Sequence, residues 1–159
     1  MPDKNIYILT GAIQSGKTTT IMKWAVNKND VFGILTPVIK GERVFTNVHT
    51  KEQFRMEAEA NEEGVFAIGR FVFNRRSFEK AENILMKALK EKNGWIVVDE
   101  IGPLELKGEG FDSIIKNIVS SNTELNILFV VRDSIVEKVK RHYNIKATII
   151  SKNDLIFEK

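Results

Sequence analysis

The chain of 159 residues contains no cysteine and only two histidines. Without cysteine it can form neither a disulfide nor a thiolate nucleophile, and this absence fits a cytosolic protein. His49 and His142 are far apart in the sequence, and no carboxylate cluster with metal-ligand spacing surrounds either of them. A histidine-based metal centre is therefore not expected.

Long apolar runs are also missing, since no stretch reaches the length of about 18 apolar residues typical of a membrane span. The N-terminus is polar and then strand-like, which does not resemble a secretion signal. Net charge is only +3 and the charges are spread along the chain. The nearest approach to a basic cluster is Arg70, Arg75 and Arg76, which we interpret as a solvated face and not as a nucleic-acid surface. We expect a cytoplasmic protein with one domain over residues 1–159. A monomer is compatible with the sequence, which leaves the oligomeric state and protein partners open.

What the sequence does contain is a glycine-rich loop after a short apolar strand. Residues 11–18 read Gly-Ala-Ile-Gln-Ser-Gly-Lys-Thr and follow the run Ile6–Leu9. This matches the G-x-x-x-x-G-K-[ST] phosphate-binding loop, or Walker A motif, whose backbone amides wrap a triphosphate. Lys17 is expected to reach the β- and γ-phosphates and Thr18 to ligate Mg²⁺. The predicted nucleotide-binding residues are Gly11, Ala12, Ile13, Gln14, Ser15, Gly16, Lys17, Thr18 and Thr19.

Strand-like and helical patterns alternate along most of the chain, which indicates an α/β fold with a mostly parallel sheet flanked by helices. The further predicted strands are Val31–Leu35, Val65–Ile68, Phe71–Phe73, Trp95–Val98, Ile127–Val131 and Ala147–Ile150. The predicted helices are Thr18–Val26, Ser77–Lys92 stopped by Asn93–Gly94, Phe111–Ser121, and Ser134–Arg141 with a capping box from Ser134 to Glu137.

Residues 31–73 differ because they hold short strands and turns without a long helix. Lys40–Gly41 is predicted to turn a hairpin between Val38–Ile39 and Arg43–Phe45. We expect this region to be an antiparallel extension of the sheet beside the nucleotide loop.

A second group of candidate site residues lies in Trp95–Glu100, an apolar strand that ends in two acidic residues. A phosphate loop needs such a strand, which we expect to lie beside the loop's own strand. Asp99 would hold the Mg²⁺, usually through water, opposite the Thr18 ligand. Glu100 is then placed to orient or deprotonate an attacking water.

Arginines supply further candidates. The strand Leu125–Val131 ends in Arg132, and ligands of open α/β sheets sit at the carboxyl ends of strands. Arg132 is therefore predicted to face the γ-phosphate and to stabilise transition-state charge. The alternatives are an exposed arginine at the strand end or an ion pair with Asp133. Arg75 and Arg76 precede a helix and are weaker candidates for phosphate contacts.

Together, the segments Leu9–Thr19, Phe32–Val38, Val98–Leu106 and Val131–Ser134 resemble the small nucleoside-triphosphatase family described in thermophiles and, in vertebrates, as the cancer-related nucleoside triphosphatase. The similarity runs nearly the whole chain, and Asp-Glu-Ile-Gly-x-x-Glu-Leu is its most specific part. The resemblance implies a RecA-like P-loop domain that hydrolyses ATP, GTP and other nucleoside triphosphates with Mg²⁺. It also implies phosphate and metal roles for Gly11, Gly16, Lys17 and Thr18, and metal and catalytic roles for Asp99 and Glu100.

This chain departs from the family pattern at two places. Many members carry a lysine where Pro103 stands, so no cationic role is carried to that position. The proline often present in the phosphate loop is absent from Ala12–Ser15. Neither difference alters the phosphate chemistry.

Two other functions fit the same loop. One is a phosphotransferase acting on a nucleoside or other small acceptor, although no long lid insertion is apparent. The other is a nucleotide-gated adaptor, although no Asn-Lys-x-Asp base-reading segment is present. The preference for one nucleotide base over another stays open, because the loop is expected to contact the phosphates and not the base.

Overall fold

The computed structural model describes residues 5–12, 15–56, 65–68, 71–154 and 157, with the backbone alone for 65–68 and 71–73. Ten strands run through these residues, in places close to those predicted. They are β1 (Ile6–Gly11), β2 (Val31–Leu35), β3 (Val38–Ile39), β4 (Glu42–Asn47), β5 (Gln53–Arg55), β6 (Val65–Ile68), β7 (Phe71–Asn74), β8 (Trp95–Asp99), β9 (Asn126–Arg132) and β10 (Thr148–Ile150).

Helices connect most of the longer strands. They are α1 (Lys17–Ala25), α2 (Arg75–Ala88), α3 (Pro103–Leu106), α4 (Asp112–Ser120) and α5 (Val136–Tyr143), the last preceded by a 3-10 turn at Asp133–Ile135. Within the described ranges, none of the helices combines the length and the apolar character needed to traverse a lipid bilayer.

The main sheet has the strand order β10-β1-β9-β8-β2-β4-β3, with β5 paired to β4. The five strands from β10 to β2 are mutually parallel, and β4 joins β2 in antiparallel orientation. The α/β class, the mostly parallel sheet and the antiparallel extension are therefore confirmed.

Helices cover both faces of the parallel strands, and this explains why those strands are continuously apolar. In β9, Ile127, Phe129 and Val131 belong to the core cluster that contains the buried residues of α2, α4 and α5. The alternate residues Leu128 and Val130 belong to the other cluster, which contains those of α1. The register of β9 is thereby fixed by apolar side chains on both of its faces.

The prediction that the strand ending in Asp99 lies directly beside the phosphate-loop strand is wrong. Strand β9 lies between β1 and β8, so that Leu9 and Asp99 are both aligned with Val130. At about 4.8 Å per strand, the two strands are about 10 Å apart. Thr18 nevertheless reaches Asp99, because it lies on α1 beyond the end of β1 and contacts the acid directly.

The predicted hairpin is confirmed. Val38 pairs with Arg43 and Ile39 with Glu42, so the loop is the two residues Lys40 and Gly41, with φ values of 52° and 80°. Positive φ at both positions is the signature of the type I′ turn that suits the twist of two strands. The rest of the predicted extension needs correction, because β6 and β7 form a separate two-stranded sheet.

Helix ends also differ from the predictions. Helix α2 begins two residues early, where the Asn74 side chain accepts a hydrogen bond from the Ser77 amide at 3.2 Å. It ends at Ala88, and Gly94 instead serves the turn into β8, next to the backbone of Asp30.

The prediction of a capping box from Ser134 to Glu137 is wrong. Residues Asp133–Ile135 form a 3-10 turn, so Ser134 lies inside that turn, and α5 begins at Val136 without a side-chain cap.

Candidate active site

The phosphate loop connects the end of β1 to the start of α1. Gly16 has φ of 89°, a left-handed conformation that a side chain would strain, and it directly precedes the first helical residue, Lys17. Ile13 and Gln14, which the sequence predicts to bind nucleotide, lie outside the described residues. The described part of the loop therefore has the strand, turn and helix order that the motif requires.

Lys17 is buried, and its ammonium group is held by the loop itself. Nζ donates to the carbonyl oxygens of Ala12 at 2.7 Å and Gly11 at 3.2 Å, and to Ser15 Oγ at 3.4 Å. Within the described residues, the hydrogen bonds of this buried cation thus go to neutral oxygens. These weaker acceptors are ones that an anionic phosphate oxygen can replace.

Asp99 ends β8 and meets the first turn of α1. Its Oδ2 accepts hydrogen bonds from Thr18 Oγ1 at 2.7 Å and from the Thr36 amide at 3.1 Å. Burial raises the pKa of Asp99 to about 6, while the two hydrogen bonds oppose that rise. The peptide bond between Asp99 and Glu100 is cis. A hydroxyl and a carboxylate, predicted separately from two motifs, therefore lie in direct contact.

Glu100 lies between two arginines. Its Oε1 is 3.5 Å from Arg132 Nη2 and 3.7 Å from Arg43 Nη1. Within the part of the chain that the structure describes, Arg132 Nε is buried and makes no hydrogen bond. Arg132 is thus brought to the predicted site, where it pairs with Glu100.

An open cleft of about 860 Å³ joins these groups. Its lining combines most of the predicted site residues with several apolar side chains. The described residues that line it are Ser15, Gly16, Lys17, Thr18, Thr19, Met22, Lys23, Val26, Thr36, Pro37, Val38, Ile39, Arg43, Asp99, Glu100, Val130 and Arg132. Gly11 and Ala12 contribute through the carbonyls that hold Lys17. Arg75 and Arg76 begin α2 and are not among the described lining residues.

Sequence reasoning missed three residues of the site. Thr36 orients Asp99 through its backbone amide, and Arg43 contacts Glu100. Lys152 donates from Nζ to the Ser15 carbonyl at 2.9 Å. Lys152 could have been predicted from the sequence, because it follows a predicted parallel strand, and ligands of such sheets bind at the carboxyl ends of the strands. Arg43 had no local signal, since its contact with Glu100 depends on where the folded hairpin lies relative to the end of β8, two strands away in the sheet.

The segment after Glu100 is anchored by a buried carboxylate. Glu105 Oε1 accepts from the Gly102 amide at 2.8 Å, and Oε2 accepts from the Phe111 amide at 3.0 Å. Burial raises the pKa of Glu105 to about 7, although these hydrogen bonds oppose the rise. Pro103 occupies the first position of α3, where its missing N–H costs nothing. The segment that follows Glu100, the candidate base, is thereby held at Gly102 and at Phe111.

Comparison with known proteins identifies relatives over nearly the full chain. The model of the family described as NTPase matches residues 6–158. The nucleoside-triphosphatase THEP1 of Thermotoga petrophila is 29% identical over 148 residues, which cover 84% of this chain and 76% of that protein.

Solved structures show the same fold. The crystal structure of THEP1 from the hyperthermophile Aquifex aeolicus superposes with a TM-score of 0.73 at 21% identity, covering 96% of this chain and 95% of that one. The solution structure of a human cancer-related nucleoside triphosphatase gives a TM-score of 0.67 at 20% identity, covering 96% and 92%. The fold is thus that of P-loop NTPases, and the chain belongs to the NTPase family of nucleoside-triphosphate hydrolases.

Proposed function

We propose that the protein catalyses Mg²⁺-dependent hydrolysis of nucleoside 5′-triphosphates, including ATP and GTP, to the diphosphate and phosphate. The observation that carries this proposal is the 2.7 Å contact between Thr18 Oγ1 and Asp99 Oδ2. It joins the residue that follows the phosphate-loop lysine to the acid at the end of β8, in the pairing expected of a P-loop hydrolase.

The donor set at this contact fits Mg²⁺. A hydroxyl and a carboxylate are hard oxygen ligands, which suit this ion. Among the described residues, no group of three or more His, Cys, Asp or Glu side chains forms a metal cage. Magnesium in proteins usually takes only one or two protein ligands and completes its shell with water and substrate phosphate. When bound by Thr18 and Asp99, it supplies charge neutralisation at the β- and γ-phosphates.

The remaining chemistry falls to side chains of the cleft. Lys17 exchanges its loop carbonyls for β- and γ-phosphate oxygens, while the loop amides and Thr19 hold the rest of the triphosphate. A water attacks the γ-phosphorus, and the bond from that phosphorus to the bridging oxygen breaks toward the diphosphate. Glu100 orients this water and accepts its proton, and Arg132 stabilises the charge that develops on the phosphoryl oxygens.

The charge-neutral variant Glu100→Gln tests the base. It retains nucleotide affinity, whereas the rate of phosphate release falls by about 100-fold or more, in line with the loss of a general base. Glu109→Gln is the matched control, because Glu109 is exposed and lies outside the lining of the cleft. Phosphate release from ATP, measured alongside nucleotide affinity, reports both quantities. A Glu100→Gln enzyme that turns over at the wild-type rate would remove Glu100 from this role.

One panel of phosphate-release assays tests both the substrate range and the metal dependence. Phosphate release is measured from ATP, GTP, CTP and UTP, each with Mg²⁺ and with excess chelator. We expect release from more than one nucleotide, because the loop binds phosphates and not bases, and loss of release with chelator. Turnover that requires a small acceptor, with negligible release into water, would instead indicate a phosphotransferase.

A further inference from the structure

The antiparallel hairpin brings a cation to the active site. Arg43 lies on β4, which pairs with β3 at Arg43 itself, with β5 at Val44–Thr46 and with β2 at Thr46 and Asn47. Two residues on, Phe45 is fully buried and packs against the rings of Phe78 and Phe111. The backbone of Arg43 is therefore set by the sheet and the core, while its side chain, 42% exposed, reaches the cleft.

The contact of Arg43 with Glu100 is loose. At 3.7 Å from Arg43 and 3.5 Å from Arg132, Glu100 Oε1 is farther from each guanidinium than the roughly 2.8 Å of a charge-assisted hydrogen bond. One carboxylate oxygen thus faces two cations. Each guanidinium therefore keeps donor capacity for a further anion in the cleft, and loose ion pairs at a partly exposed position are readily exchanged.

Arg132 shows the same incomplete pairing. Its Nε is buried without a hydrogen-bond partner among the described residues, and its side chain lines the same cleft. A buried donor without an acceptor costs free energy that an incoming phosphate oxygen would recover. The two arginines therefore line the same cleft as Lys17, Glu100 and the described part of the phosphate loop.

We propose that Arg43 is a further catalytic residue, which binds the γ-phosphate and leaves Glu100 to the attacking water. This inference rests on the proposed hydrolase function. The guanidinium gives up its ion pair with Glu100 and donates to a phosphoryl oxygen, where its charge stabilises the transition state more than the ground state. The carboxylate so released accepts the proton of the water while the phosphorus–bridging-oxygen bond breaks. The hairpin is thereby part of the active site.

Arg43→Ala tests this role against Arg55→Ala. Arg55 lies on the adjacent strand β5, has a similar side-chain exposure of 47%, pairs with Glu42 and lies outside the cleft lining. For Arg43→Ala we expect kcat to fall by about 100-fold, the size of effect seen when one transition-state donor is lost. Affinity for the nucleoside diphosphate should change by less than about 3-fold, since the diphosphate lacks the γ-phosphate. Arg55→Ala should match the wild type in both.

A binding measurement separates the catalytic role from a structural one. The diphosphate with aluminium fluoride and Mg²⁺ mimics the transferring phosphoryl group, and Arg43→Ala should weaken this complex by about the factor lost in kcat. Equal losses of diphosphate and of analogue affinity would overturn the proposal, as would a wild-type kcat. If Arg43→Ala unfolds, Arg43→Gln keeps a long polar side chain without the charge, and the same split is expected.

The outcomes also separate this inference from the proposed function. A wild-type protein that releases no phosphate from any of the four nucleotides contradicts the hydrolase proposal. The analogue complex would then still report on Arg43, because its affinity requires no turnover. A wild-type protein that hydrolyses nucleotides, with Arg43→Ala indistinguishable from Arg55→Ala, contradicts the role of Arg43 alone.

Discussion

Gly33, in the middle of β2, leaves no room for a side chain. It is paired with Val97 of β8 and has φ of 119°. A Cβ atom placed on it would overlap the backbone carbonyl of Val97. Because β8 carries Asp99 at its end, the close approach of these two strands also helps to place the candidate metal ligand.

We expect Gly33→Ala to destabilise the protein by about 3 kcal/mol or more, since backbone strain and steric overlap add. Gly41→Ala is the matched control. It too has a positive φ, of 80°, but nothing lies within 4 Å of its added Cβ, so a cost of about 1–2 kcal/mol is expected. Urea denaturation of both variants measures the difference. Equal losses would show that φ, and not the overlap, determines the cost.

At the scale of elements, one buried side chain bridges the link from β8 to α4. Glu105 of α3 is 4% exposed and accepts hydrogen bonds from residues on either side of it along the chain. The pattern of apolar residues predicts the strand and the helix that it joins. It does not predict α3, whose four residues are too few to show a period.

The raised pKa of Glu105 predicts a pH-dependent stability. Between pH 4.5 and about 7 the folded protein keeps a proton that the unfolded chain has lost, so stability falls as pH rises through this window and is then constant. At about 1.4 kcal/mol per pKa unit, the decline is about 3 kcal/mol. In Glu105→Gln this component disappears, while Glu109→Gln, at an exposed position, keeps it. Denaturation between about pH 5 and pH 8 measures the slopes; a wild-type slope in Glu105→Gln would contradict the assignment.

At the scale of the whole molecule, the cleft draws residues from segments that are distant in the chain. The phosphate loop, the turn after β2, the hairpin and the ends of β8 and β9 all contribute side chains. A ligand that contacts all of them binds only the folded state and so stabilises it by mass action. The single domain over residues 1–159 stays a prediction, which coincident thermal transitions by circular dichroism and tryptophan fluorescence would support.

Nucleotide with Mg²⁺ is accordingly expected to raise the melting temperature. At 100 times its Kd the ligand contributes about 2.7 kcal/mol, which corresponds to about 5–10 °C for a chain of this size. In Lys17→Ala the rise should be largely lost, because the cation for the β- and γ-phosphates is gone. Differential scanning fluorimetry with and without nucleotide measures both. Lys28→Ala serves as control, because Lys28 follows the end of α1 and is not among the residues that line the cleft. An equal rise in Lys17→Ala would mean that nucleotide binds elsewhere.

The sequence by itself determined the parts of this protein whose chemistry is local. A phosphate loop needs its glycines, lysine and threonine at fixed spacing within one strand–turn–helix unit, so Gly11, Gly16, Lys17 and Thr18 could be recognised without a structure. Asp99 and Glu100 could be recognised because the buried strand that they end is an uninterrupted apolar run. The hairpin turn followed in the same way from two adjacent residues.

Only the tertiary structure decided how these parts meet. The insertion of β9 between β1 and β8, the meeting of Arg43 with Glu100 and the contact of Lys152 with the loop all join residues far apart in the chain. Such pairings depend on strand order and on the closing of long loops, which periodicity in a local window does not encode. The sequence therefore predicted the residues that would hold the phosphates, and only the fold placed a second arginine, Arg43, beside Glu100.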